Sequence, residues 1–108
     1  MPPAKKYSSF GEQLRTLREN AGHTLKTVSE QIGVDISLLA KIERNERQPT
    51  RQLIKQLADF FEVDEQALKD EFLSDQIAYR ILAEDADLHI LKVAERKVSY
   101  LKTKKKDR

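Results

Sequence analysis

The chain has 108 residues, with 20 lysines and arginines against 18 aspartates and glutamates, a formal net charge of +2 and no cysteine. That length suits one domain with an appendage and a core that needs no staples, and the missing thiols exclude disulfides and thiolate metal sites. No apolar run approaches the ~20 residues of a membrane span, and 6% aromatics with three glycines argue against a β-sandwich or a base-stacking RNA platform.

Helix formers dominate and extended β-branched runs are missing, so the reading is all-α. Residues 1–8 (MPPAKKYS) have no amphipathic period and do not resemble a secretory leader; they read as a mobile arm. Ser9 can cap a first helix, with Glu12 three residues on completing a capping box. Phe10, Leu14, Leu17 and Ala21 fall on one face, and Gly22 stops the helix. Thr24 caps a second helix with Leu25, Val28 and Ile32 inward, and Gly33 suits a left-handed turn. Val34 plugs that turn while Asp35 caps a third helix, which buries Leu39 and Ile42 and ends near Asn45. Thr50 caps a fourth helix, with Leu53, Ile54, Leu57, Ala58 and Phe61 inward. Asp64 caps a fifth, which buries Ala67, Leu68 and Phe72.

Ser74 then opens a separate C-terminal part. Ile77, Ile81 and Leu82 suggest a sixth helix that weakens at Glu84-Asp85-Ala86-Asp87. Beyond it Leu88, Leu91, Ala94, Val98 and Leu101 recur every three or four residues, with Ile90 and Val93 widening the stripe. The lysines at 102 and 104–106 read as a solvated tail. The expected division is an arm at 1–8, a domain at 9–73, a helical extension at 74–102 and a basic tail at 103–108.

Two short helices joined by a glycine-containing turn are the arithmetic of a helix-turn-helix. In residues 24–50, TLKTVSEQIGVDISLLAKIERNERQPT, the spacing of Val28, Ile32, Gly33, Val34, Leu39, Ile42 and Glu43 before a basic loop ending at Pro49 resembles the Cro and repressor-type helix-turn-helix family, the XRE family. The likeness covers about residues 9–72 and includes the order and length of five helices. It implies a five-helix repressor-like domain that ends near Phe72 and has double-stranded DNA as its partner; residues 74–108 are then a C-terminal helical extension to it.

The resemblance also implies roles. The acid at Glu43 would pair with Arg18 of the first helix and brace the third. The outward face of the third helix would read bases through Ile36, Ser37 and Lys41, with Ala40 small enough for close approach. An apolar Ile36 suits a thymine methyl, Ser37 either donates or accepts, and Lys41 suits guanine O6 and N7. A competing role for Ile36 is packing on the arm or on a partner. Arg44, Arg47 and Arg51, with Thr24, Leu25 and Lys26 at the start of the second helix, would meet phosphate. Lys55 adds to the same basic edge. Two residues depart from the family pattern: Leu38 sits where relatives more often carry a small polar or aromatic residue, and Leu25 replaces a common polar residue.

The apolar stripe has two outlets. It can pack back on its own domain, or Ile77, Leu88, Leu91, Ala94, Val98 and Leu101 can pair with a second copy, with Tyr79 and Tyr100 as anchors. A homodimer is preferred because palindromic operators are read by twofold dimers. The leading reading is therefore a dimeric, sequence-specific transcriptional regulator, a repressor or a restriction–modification controller, acting in the cytoplasm on the nucleoid. The second class is an antitoxin or adaptor whose C-terminal helices bind another protein. An enzyme is the poorest reading: His23 and His89 lie far apart, and no nucleophile, carboxylate pair or phosphate loop has suitable company. No cofactor and no metal is expected.

Overall fold

The computed structural model describes residues 9–106 and is all-helical there. In chain order the helices are α1 (Phe10–Asn20), α2 (Leu25–Ile32), α3 (Ile36–Glu43), α4 (Arg51–Phe61), α5 (Glu65–Ala83) and α6 (Ile90–Lys106). The arm expected at 1–8 and the last two residues of the tail lie outside the described residues.

The helices start where short polar side chains can catch a first-turn N–H. Ser9 Oγ accepts from the Glu12 N–H at 3.2 Å while the Glu12 carboxylate accepts from the Ser9 N–H at 2.9 Å, a complete capping box. The side-chain oxygens of Thr24, Asp35, Thr50 and Asp64 each accept one first-turn N–H at the start of α2 to α5, at distances between 2.9 and 3.3 Å.

Five helices end by one device. A residue turns into the left-handed region and the next N–H bonds back to the carbonyl five residues earlier. The left-handed residues are Gly22, Gly33, Asn45, Glu62 and Asp85. The closing bonds are His23 to Arg18, Val34 to Ser29, Glu46 to Lys41, Val63 to Ala58 and Ala86 to Ile81, all between 2.8 and 3.1 Å.

The chain divides into two compact units, one ending at Asp75 and one beginning at Gln76. The first holds the whole buried core: Phe10, Leu14, Val28, Leu39, Ile42, Leu53, Ile54, Leu57, Ala58 and Leu68. Phe72 closes it edge-on to Phe10, ring centroids 5.5 Å apart. Asp75 accepts the Phe10 N–H at 2.7 Å, so a carboxylate sits on the positive end of α1. The second unit comprises the end of α5, a turn and α6. Most of its large apolar side chains stay exposed: Ile77, Tyr79, Leu82, Leu88, Ile90, Leu91, Val98, Tyr100 and Leu101, while Ile81 and Val93 are half-buried.

Several expectations need correction. The helix expected around Ile77, Ile81 and Leu82 is not a separate one, because α5 runs unbroken through Ser74 to Ala83. Nothing between Phe72 and Ala83 is a glycine or proline, and Ser74 satisfies its hydroxyl by donating to the Glu71 carbonyl at 2.9 Å. Ala21 and Ala67 are exposed rather than inward. Ala21 caps α1 after its stripe has ended, and α5 meets the core through Leu68 instead. The lysine-rich end is helical through Lys106, not a separate tail from residue 103.

Candidate nucleic-acid interface

The segment that carries the resemblance folds as two eight-residue helices, α2 and α3, joined by Gly33, Val34 and Asp35. Gly33 has φ +74° and ψ 38°, a conformation that costs an L-residue about 1–2 kcal/mol. A Cβ there would touch nothing within 4 Å, so its need for glycine is purely backbone. The turn is held from behind. Val34 packs on the core, and Gln56 of α4 donates its amide to the Ile32 carbonyl at 3.1 Å.

The inner side of α3 is fixed by two polar clamps besides Leu39 and Ile42. In the first, Arg18 Nε and Nη2 donate to the two Glu43 carboxylate oxygens at 2.7 and 3.0 Å. Arg18 Nη1 also donates to the His23 carbonyl at 3.0 Å. Both side chains are largely dry, 12% and 6% exposed. The hydrogen bonds to Glu43 raise the Arg18 pKa further above its already high ordinary value, outweighing desolvation. One guanidinium thus ties α1, the turn after it and the end of α3. His23, an inter-helix residue, is half-buried against the Phe60 ring, with ring centroids 5.2 Å apart.

The second clamp is Asn45. Its side-chain oxygen accepts the Gly11 N–H at 3.1 Å, and its amide nitrogen donates to Ser9 Oγ at 2.9 Å. It does this from a left-handed backbone, φ +62°. Gly11 belongs to the same joint, since a Cβ on it would lie 2.5 Å from the Glu43 carbonyl oxygen and 2.6 Å from that of Ile42. Neither the Gly11 contact nor the Asn45 amide bridge was anticipated from the sequence. A glycine in the first turn of a helix was the available signal.

The outer side of α3 is open. Ile36 is 44% exposed, and Ser37 and Lys41 are also exposed, with Ala40 half-buried between them. Leu38 turns inward against the core, and so does Leu25. Leu25 therefore offers a ligand its backbone rather than its side chain; helix geometry leaves the first-turn N–H groups of Leu25 and Lys26 without an intrahelical acceptor. Thr24 and Lys26 are exposed beside them.

Arg44, Arg47 and Arg51 are exposed along the loop and the start of α4. Arg44 is engaged by Glu46, and Lys55 by Asp59 at 3.2 Å. Among the described residues Lys41, Arg47 and Arg51 form no ion pair. Glu43 is spent on Arg18, so the edge is more basic than the raw sequence of charges suggests. No group of histidines, aspartates and glutamates among the described residues could hold a metal, and no described helix is long and apolar enough to cross a membrane.

Residues 9–72 match a family model described as a helix-turn-helix domain. An uncharacterized HTH-type transcriptional regulator of Bacillus subtilis (strain 168), YazB, is 30% identical over 54 residues, which is 50% of this chain and 78% of that protein. Among solved structures, a chain from a SinR protein/SinI protein complex superposes with a TM-score of 0.54 at 20% identity. The match covers 87% of this chain and 98% of that one, a likeness of fold.

Proposed function

From a chain that belongs to the helix-turn-helix family of XRE-type transcriptional regulators, we infer a dimer that reads a palindromic operator in double-stranded DNA and represses the genes beside it. The observation that carries this reading is the two-sided character of α3. Its inner face is locked by Arg18, Glu43 and Asn45, while its outer face is free and edged with cations. A recognition helix needs both properties, since a contact to a base edge discriminates only if the helix cannot shift.

In this reading Ile36, Ser37 and Lys41 meet bases in the major groove, and Ala40 permits the approach. Arg44, Arg47 and Arg51 neutralise phosphates on one side, with Thr24, Lys26 and the Leu25 N–H on the other. The second unit supplies the dimer contact. Ile77 at 45%, Leu88 at 70% and Leu101 at 59% exposure, with Leu91, Ala94 and Val98 between, leave an apolar surface that a second copy would cover. The protein would work in the cytoplasm at the nucleoid, and a role as a restriction–modification controller is one form of the same activity.

The exposed second unit also favours a second reading, an antitoxin or adaptor that gives this surface to a different protein. The SinR protein/SinI protein complex, in which a chain of similar fold is found with another protein, points the same way. One experiment separates the two. Bound sequences are selected from a random DNA pool, and stoichiometry is measured on the winner. A palindrome occupied by two chains supports the dimeric regulator; no enrichment, together with a monomer in solution, supports the adaptor.

A further inference from the structure

We propose that Glu46 is a governor of DNA affinity: its carboxylate holds the Arg44 guanidinium and so limits how tightly the protein grips phosphate in DNA of any sequence. The proposal deepens the reading above and rests on its assignment of the α3 edge to DNA.

The geometry is that of a competitor. Arg44 Nε donates to one Glu46 oxygen at 3.0 Å and Nη2 to the other at 3.2 Å. This two-pronged grip is the one a guanidinium uses on a phosphate, so the carboxylate occupies the donors a phosphate would need. Glu46 is not a loosely placed loop acid. Asn45 turns left-handed after α3, and the Glu46 N–H closes on the Lys41 carbonyl at 2.8 Å. The same closure keeps its carboxylate within electrostatic reach of Lys41 as well as Arg44. The bonds from Arg44 hold Glu46 below the usual carboxylate range, so it stays ionised near neutral pH. Its neighbour Glu43 is buried against Arg18 and has no free oxygen to play this part.

Binding must therefore follow one of two courses. Either Arg44 stays with Glu46 and one phosphate contact is forgone, or the pair opens and a bare carboxylate faces the polyanion. Both courses weaken sequence-independent binding. Because the pair is exposed, 57% and 54%, the effect is a trim and not a block. Exposed pairs of this kind correspond to about a two- to fivefold change in an equilibrium constant.

The test uses the full chain and a short random-sequence duplex, titrated by fluorescence anisotropy over a range of salt. Glu46→Gln keeps the backbone closure and removes the charge. It is expected to tighten binding about two- to fivefold and to steepen the log affinity against log salt line by about 0.9, one phosphate's worth. In an Arg44→Ala background most of that gain should vanish. An equal gain in both backgrounds would overturn the proposal, because Glu46 would then act only as a general negative charge. Unchanged affinity in Glu46→Gln, with Arg44→Ala still weakening binding, would overturn it while leaving the DNA edge intact. If Arg44→Ala itself binds like the parent, the phosphate contact assigned to Arg44 falls and the governor falls with it.

Discussion

Gly11 stands so close to the end of α3 that a Cβ on it would lie 2.5 Å from the carbonyl oxygen of Glu43. Besides Asn45 Oδ1, the atoms in the way are the backbone oxygens of Ile42 and Glu43, so the contact sets how closely α1 approaches α3. Gly11→Ala would ordinarily help a helix by about 1 kcal/mol. Here the overpacking cost of about 1–3 kcal/mol and the loss of the Gly11 to Asn45 hydrogen bond should win. The expected outcome is a protein less stable by about 2 kcal/mol in urea unfolding; a stabilised variant would contradict the contact.

Across the same joint, Arg18 and Glu43 form the driest ion pair described in the chain. Removing one partner strands the other charge where little water reaches it. Arg18→Ala should cost about 3 kcal/mol, more than the loss of any exposed pair. Arg15→Ala, which breaks an exposed pair with Glu19, should cost well under about 1 kcal/mol. Equal losses in the two variants would mean that the Arg18 bridge is solvated in solution.

Two cations on the α3 edge should behave differently. Lys41→Ala is expected to lower affinity for a selected operator and relax one base position, by about 1–3 kcal/mol. Arg47→Ala should weaken binding to every sequence alike and flatten the salt slope by about 0.9. Binding assays on selected and random duplexes check both, and variants that match the parent on both duplexes would remove this edge from the interface.

The continuity of α5 changes where the chain should be cut to test the dimer. Ending it after Ser74 would delete Asp75 and uncover the Phe10 N–H at the start of α1. Ending it after Ala83 keeps that cap and the whole helix while removing α6. The shortened protein should fold cooperatively, run as a monomer in ultracentrifugation and bind a palindrome poorly. A persisting dimer would move the interface out of the residues from Leu88 to Leu101.

Acid should loosen the start of α1. The Ser9 backbone and hydroxyl bonds depress the Glu12 pKa below its ordinary value of 4.5. A depressed carboxylate contributes stability that is complete above the unfolded value and is lost as pH falls through the folded one. Stability should therefore decline below about pH 4.5, and Glu12→Gln should make that decline shallower. An identical acid profile in the variant, followed by thermal unfolding, would show that the capping box is not ionised in this way.

Local chemistry accounts for what could be read from the sequence alone. Ser9, Thr24, Asp35, Thr50 and Asp64 each cap within two or three residues, so every start from α1 to α5 is visible in a short window. The stripes of Leu14, Val28, Leu39, Ile42 and Leu57 and the stops at Gly22, Gly33 and Asn45 are equally local. What only the tertiary structure decided lies at longer range. Glu62 and Asp85 end their helices left-handed with no glycine to announce it; at Glu62 the following Val63 is drawn onto the core. Leu25 and Leu38 turn inward because the core takes them, and α5 continues past Phe72 because nothing in its sequence stops it and Asp75 has α1 to cap. Gly11 meets Asn45 across 34 positions, a separation at which side-chain period carries no information and only the packing of α1 on α3 brings the two together.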